Sequence, residues 1–155
     1  MFHRVIFTYT LLMVCFKSIY VYAGLSEKEY YNMLVALSDA AGECIEKFDI
    51  SSSELDEITT DPDYKYYLNC FFTECGIMEK GMFKVEKLMA LTKRYLHRKD
   101  ELARSYIIRQ KCSQVNKAKV SDGEDGYAER AMLLFNCLKK NGDHFLFGEE
   151  YDQQS

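Results

Sequence analysis

Five cysteines stand beyond residue 40 of this 155-residue chain, at Cys44, Cys70, Cys75, Cys112 and Cys137, while the sixth, Cys15, lies in an apolar opening stretch. Whether such cysteines staple a fold or hold a metal depends on the compartment. The first 23 residues point to one. Arg4 gives a positive start, Val5 to Phe16 is a short apolar run, and Val21 and Ala23 take the −3 and −1 places of a small-residue cleavage site. That is the pattern of a secretory signal. A membrane anchor needs about 20 apolar residues, and Lys17 interrupts this run early. The expectation is a secreted, extracellular protein built of a signal peptide, 1–23, and a single domain, 24–155, whose cysteines oxidise in pairs. With Cys15 gone five remain, so one stays a free thiol or bonds another chain.

Cleavage removes Arg4 and Lys17 and no acid, which takes the formal net charge from −4 to −6. An acidic chain without a basic stripe does not suit nucleic acid. Its charge does suit a molecule dissolved in a dilute fluid. No later segment is apolar for long enough to insert stably in a membrane.

The mature segment has one proline, Pro62, and its apolar residues recur at three- and four-residue steps without sustained alternation. This predicts an all-α chain. Six helices are expected. The first runs from Ser26, with Glu29 completing a capping box, to about Phe48. A short second helix follows Ser53, and a third runs from Pro62 to about Met78. The fourth covers about Lys84 to Tyr95, and the fifth opens at Asp100 and passes Cys112. After a polar loop, Ser121 to Gly126, the sixth covers Tyr127 to Lys140 and stops at Asn141-Gly142. A tail from about Asp143 to Ser155 contains Phe145, Leu146 and Phe147 in a row.

The residues offer no catalytic constellation, so an enzyme is not expected. His97 lies in a charged stretch with Lys93, Arg94, Arg98 and Lys99, which reads first as a solvated helix end and second as a membrane-surface patch. There is no zinc spacing of cysteine and histidine. Asp122, Glu124 and Asp125 lack the ligand pattern of a calcium loop. Neither a metal nor a cofactor is expected. Cys75, beside Gly76 and among Phe71, Phe72 and Ile77, reads as a small packed hydrophobe, with a bridge to a second chain as the alternative.

The cysteine spacing carries a resemblance. Cys44 and Cys70 lie 26 residues apart and Cys112 and Cys137 lie 25 apart, and Cys70 is followed six residues on by Gly76-Ile77 within Asn69-Cys70-Phe71-Phe72-Thr73-Glu74-Cys75-Gly76-Ile77-Met78. This resembles the insect odorant-binding proteins, the pheromone and general odorant-binding family. Their six cysteines pair first to third, second to fifth and fourth to sixth. The second stands four residues before the third, where this chain has Tyr66. The fifth stands nine before the sixth, where it has Ala128. Both partners of one bridge are absent together, so the chain is similar to the branch lacking the second and fifth cysteines. The resemblance covers Leu25 to Asp143. It implies bridges Cys44–Cys70 and Cys112–Cys137, each worth about 3.5 kcal/mol on the chain-entropy estimate. Tyr66 opposite Ala128 is a large-small pair suited to filling the place of the third bridge. Cys75 has no counterpart in the family.

Taken with the helical pattern, the resemblance implies a six-helix, disulfide-stapled bundle around an internal apolar cavity. The expected activity is carriage of a small hydrophobic or amphiphilic ligand such as an odorant or pheromone. Candidate pocket residues are Phe72, Met78 and Phe83, then Leu88 and Met89, then Tyr106, then Met132 and Phe135, and from the tail Phe145 and Phe147. The methionines suit a wall that adapts to varied shapes. Tyr106 or Tyr95 would fix one polar group of the ligand. The tail would fold back as a lid, with His144 as a pH sensor. Other readings stay open. One is a salivary, venom or reproductive-fluid scavenger of amines or lipids on the same fold. Another is a secreted protein-interaction module. A monomer or weak homodimer is expected, with Cys75 as the possible bridge.

Overall fold

The computed structural model describes residues 27–50 and 61–143. The expected signal peptide, the short helix after Ser53, and the tail with His144, Phe145, Leu146 and Phe147 lie outside the described residues. Within them are five α-helices: α1 Glu27–Lys47, α2 Tyr64–Glu74, α3 Val85–Lys93, α4 Lys99–Cys112 and α5 Gly123–Lys140. A 3₁₀ turn, Ser113–Lys117, continues α4. The fold is all-α, with one small addition.

That addition is an antiparallel ribbon of β1, Met78–Glu79, and β2, Met82–Phe83, with Met78 opposite Phe83. It corrects the expectation that the helix after Pro62 runs to about Met78. Helix α2 stops at Glu74 because Gly76 takes φ +68°, a backbone state open to glycine at little cost. The Gly76 amide then donates to the Thr73 carbonyl and the Ile77 amide to the Phe72 carbonyl. These are the two bonds of a Schellman close, and the buried Ile77 supplies its apolar contact. The glycine-aliphatic step after Cys70 thus has a physical meaning: it stops α2 and turns the chain into the ribbon. Lys80 and Gly81 both take positive φ, the two-residue turn that matches strand twist.

Helix α5 starts at Gly123, four residues earlier than the sequence suggested. Glu124 and Asp125 sit in its first turn, where carboxylates complement the helix dipole. Gly126 is buried beneath the preceding loop, and a Cβ there would overlap the Ser121 carbonyl oxygen. Ser121 in turn donates through its amide and hydroxyl to both carboxylate oxygens of Glu129, at 3.0 and 2.8 Å. This holds Glu129 below its ordinary carboxylate value.

Both implied bridges are formed. Cys44–Cys70 ties α1 to α2, and Cys112–Cys137 ties α4 to α5. Helix α2 lies along α5, and the ribbon is lashed to the 3₁₀ turn. Asn116 accepts from the Phe83 amide at 2.8 Å and donates to its carbonyl at 2.9 Å, acting as an extra strand residue. The Arg130 guanidinium donates to the carbonyls of Val115, Gly81 and Ala118, which ties the ribbon turn and the 3₁₀ turn to α5.

Candidate ligand site

The interior is one apolar cluster drawn from every helix and the ribbon. Tyr64, Leu68 and Phe72 recur at four-residue steps on α2 and bury one face. Met78 and Phe83 enter from the ribbon, and Leu88 and Met89 from α3. Ile108 comes from α4, and Ala131, Leu134 and Leu138 come from α5. Of the ten pocket candidates, Phe72, Met78, Phe83, Leu88 and Met89 lie in this cluster, and Met132 and Phe135 pack half-buried against it. Phe145 and Phe147 fall outside the described residues.

Tyr106 does not join them. It is 48% exposed, and its neighbour Ile107 is 68% exposed. The inward face of α4 carries Ser105, Ile108, Arg109 and Cys112 instead. Cys112 is fixed by its bridge, and residues three and four before it share its side of the helix. A residue six before it points away. Tyr106 is therefore corrected to a surface residue. Tyr95, the other candidate hydroxyl, is half-buried against the core.

A row of rings runs along α2 at the edge of the cluster. The Tyr67 ring lies nearly parallel to those of Tyr64 and Phe71, at 5.8 and 6.4 Å, and Phe135 of α5 meets Tyr64 edge-on at 5.8 Å. Burial, with Cys75 nearby, pushes the Tyr67 hydroxyl up from its ordinary value. Cys75 is a free thiol, half-buried against the core. Burial first, and Glu74 second, push it up to about 11. It packs as a small hydrophobe and is poorly suited to nucleophilic work.

The residues that the sequence did not single out are charged. Arg109 and Asp143 are both fully buried. Arg109 donates from Nε and Nη2 to the two carboxylate oxygens of Asp143, at 2.7 and 3.0 Å. Its Nη1 donates to Thr92 Oγ1 at 2.7 Å and lies 3.2 Å from Met89 Sδ. The Thr92 hydroxyl in turn donates to the Leu88 carbonyl. The fork thus joins α3, α4 and the end of α5. The signal for Arg109 was its place three residues before Cys112. Asp143 had none, because nothing local marks it as buried.

The basic stretch Lys93, Arg94, His97, Arg98 and Lys99 is exposed, with Arg98 paired to Asp100 at 2.6 Å. Among the described residues, no group of three or more His, Cys, Asp or Glu is placed to hold a metal ion. No helix among them is long and apolar enough to cross a membrane.

The model of the PBP/GOBP family matches residues 31–141, well over half of the chain. The chain belongs to the PBP/GOBP family. No curated protein and no solved structure gives a significant match. The PBP/GOBP proteins are binding proteins for small ligands rather than enzymes. The matched region takes in both bridges and the whole buried cluster.

Proposed function

We propose that this PBP/GOBP protein is a secreted carrier of a small hydrophobic or amphiphilic ligand, released as a soluble domain once residues 1–23 are removed. The supporting observation is the shared interior of Phe72, Met78, Phe83, Leu88 and Met89, contributed by α2, the ribbon and α3. A ligand entering between these side chains leaves water for an apolar surround, which supplies about 25 cal/mol per Å² of apolar area. The thioethers of Met78 and Met89 adapt to shape more readily than branched side chains would. Two bridges staple the described residues, and α2 and α5 are joined there by packing and hydrogen bonding. Opening the wall between them breaks no covalent link.

Displacement of a fluorescent hydrophobic probe tests this reading. Saturable uptake at micromolar concentration, reversed by odorant-sized apolar compounds, is the expected result. Absence of uptake by the folded, oxidised protein overturns it. Met89→Ala should change the ranking of ligands of different shape more than it changes their mean affinity.

A further inference from the structure

We infer that the outward face of α4 is a docking face for a lipid bilayer bearing anionic headgroups, with Tyr106 and Ile107 seated at headgroup depth and Lys99 and Lys111 on either side of them. The inference goes beyond the carrier reading and does not depend on it.

Two observations meet on this face. The first is apolar. Tyr106 and Ile107 are 48% and 68% exposed, on a helix whose inward side carries Ser105, Ile108, Arg109 and Cys112. Lys99, Ala103, Ile107 and Lys111 recur at four-residue steps, and all four are exposed. They form one stripe about 18 Å long, with Tyr106 beside it. The centre of the stripe is apolar and both its ends are cationic. A single exposed apolar residue carries no meaning. Two of them bracketed by lysines have the pattern of a helix that lies flat in a membrane interface.

The second observation is electrostatic. Residues 93–111 hold seven cations and two acids, whereas the rest of the chain beyond residue 23 holds eleven cations and twenty-two acids. Positive charge is thus gathered in one stretch of an acidic protein. Arg109 is spent on Asp143 in the interior, and Arg98 pairs with Asp100. Glu101 shares its side of α4 with the buried Ser105, four residues on, and so turns away from the stripe. Lys111 donates to the neutral amide oxygen of Asn141, which leaves its charge uncancelled. Lys93 and Arg94, exposed where α3 ends, extend the positive region along the connection into α4.

A bilayer suits this face better than an acidic protein does. The stripe is the outward side of a helix, and its apolar residues stand out from it. A protein partner would need about 1,000 Å² of matched surface, whereas a fluid headgroup layer closes around individual side chains. Lysine stems lie along such an interface while their ammonium groups reach the phosphates. The acidic remainder of the protein is repelled by the same surface, which orients α4 toward it. The binding is peripheral, since no described helix is long and apolar enough to cross a membrane.

Vesicles of phosphatidylcholine, alone or mixed with phosphatidylserine, provide the test on the oxidised mature protein. It should sediment with the mixed vesicles at low ionic strength, remain free of the phosphatidylcholine vesicles, and be released by salt. The chain has no tryptophan, so Ile107→Trp places a single reporter on the stripe. Its emission should shift to the blue on mixed vesicles. Tyr31→Trp, at a site of α1 that is 66% exposed, should not shift. Lys99→Gln with Lys111→Gln should weaken vesicle binding about 25-fold, about fivefold for each cation, and leave the helical ellipticity unchanged. No sedimentation with mixed vesicles at low ionic strength overturns the inference, as does a blue shift from Tyr31→Trp without one from Ile107→Trp. A response of Ile107→Trp to polyglutamate and none to vesicles assigns the face to an acidic protein and also overturns it. Probe displacement needs no vesicle, so the carrier reading stands or fails separately.

Discussion

Tyr66 of α2 donates its phenolic hydrogen to Asp125 of α5, across 59 residues of sequence. The resemblance assigns the family's second cysteine to the place of Tyr66 and its fifth to the place of Ala128, one turn after Asp125. The two helices are joined here by a hydrogen bond rather than a disulfide, and Ala128 is fully buried. This bond, with its negative partner, also keeps the Tyr66 hydroxyl protonated above its ordinary range.

Restoring the missing bridge should stiffen the α2–α5 contact. Tyr66→Cys with Ala128→Cys is expected to oxidise in air and to raise the melting temperature. The loop it closes has a chain-entropy value of about 4 kcal/mol, set against the lost tyrosine bond. Mass spectrometry under non-reducing conditions reads the bridge. A pair that stays reduced in the folded protein would show that positions 66 and 128 are not the vacant family sites.

The free thiol should be inert while the protein is folded. With its titration pushed up to about 11, Cys75 is about one part in a thousand thiolate at pH 8. Alkylation should therefore be slow and should accelerate on unfolding, and non-reducing electrophoresis should show a monomer. The sign of the pH effect follows: a thiol raised in the fold supports stability fully below pH 9, and the support disappears as pH climbs from 9 to 11. Cys75→Ser should flatten that part of the stability curve. A fast-reacting Cys75 at pH 8 contradicts the burial.

Gly81→Ala should destabilise by about 2–4 kcal/mol. Two causes act together. The residue takes φ +70°, and an added Cβ runs into the ring of Tyr127. Adding Tyr127→Ala removes the second cause and leaves the first, so the double variant should lose less than the sum of the single losses in urea melts. Strict additivity would mean that the ring does not press on the turn.

Breaking the buried ion pair from one side should cost about 3–5 kcal/mol, since Asp143→Ala takes the bidentate carboxylate away from a buried guanidinium. Replacing both partners with apolar residues, Arg109→Met with Asp143→Leu, should cost much less. Equal losses for the single and double variants in urea unfolding would show that the charges themselves, rather than their pairing, hold α3, α4 and the end of α5 together.

The two bridges were legible through the family resemblance. The stop at Gly76-Ile77 is local, its bonds lying within six residues, yet the apolar periodicity that predicts a helix to about Met78 runs past it. The ribbon was not legible. Its strands are two residues each, too short for alternation to show, and Asn116 completes them from 33 residues away. Tyr106 was misplaced for a related reason. Tyr106 and Ile107 are apolar neighbours on a helix whose composition is otherwise mostly polar, so composition alone favoured burying them.

The sequence by itself determined the helical class, the stop of α2 and the cysteines available for stapling. These depend on local periodicity, backbone preference and spacing along the chain. Tertiary structure decided which face of α4 turns inward, because a bridge to Cys137 fixes that rotation and no local pattern does. It also decided the fate of Arg109. A guanidinium enters an apolar core only when a carboxylate is delivered to it, and here the carboxylate arrives from 34 residues downstream, at a helix end that no local signal marks as buried.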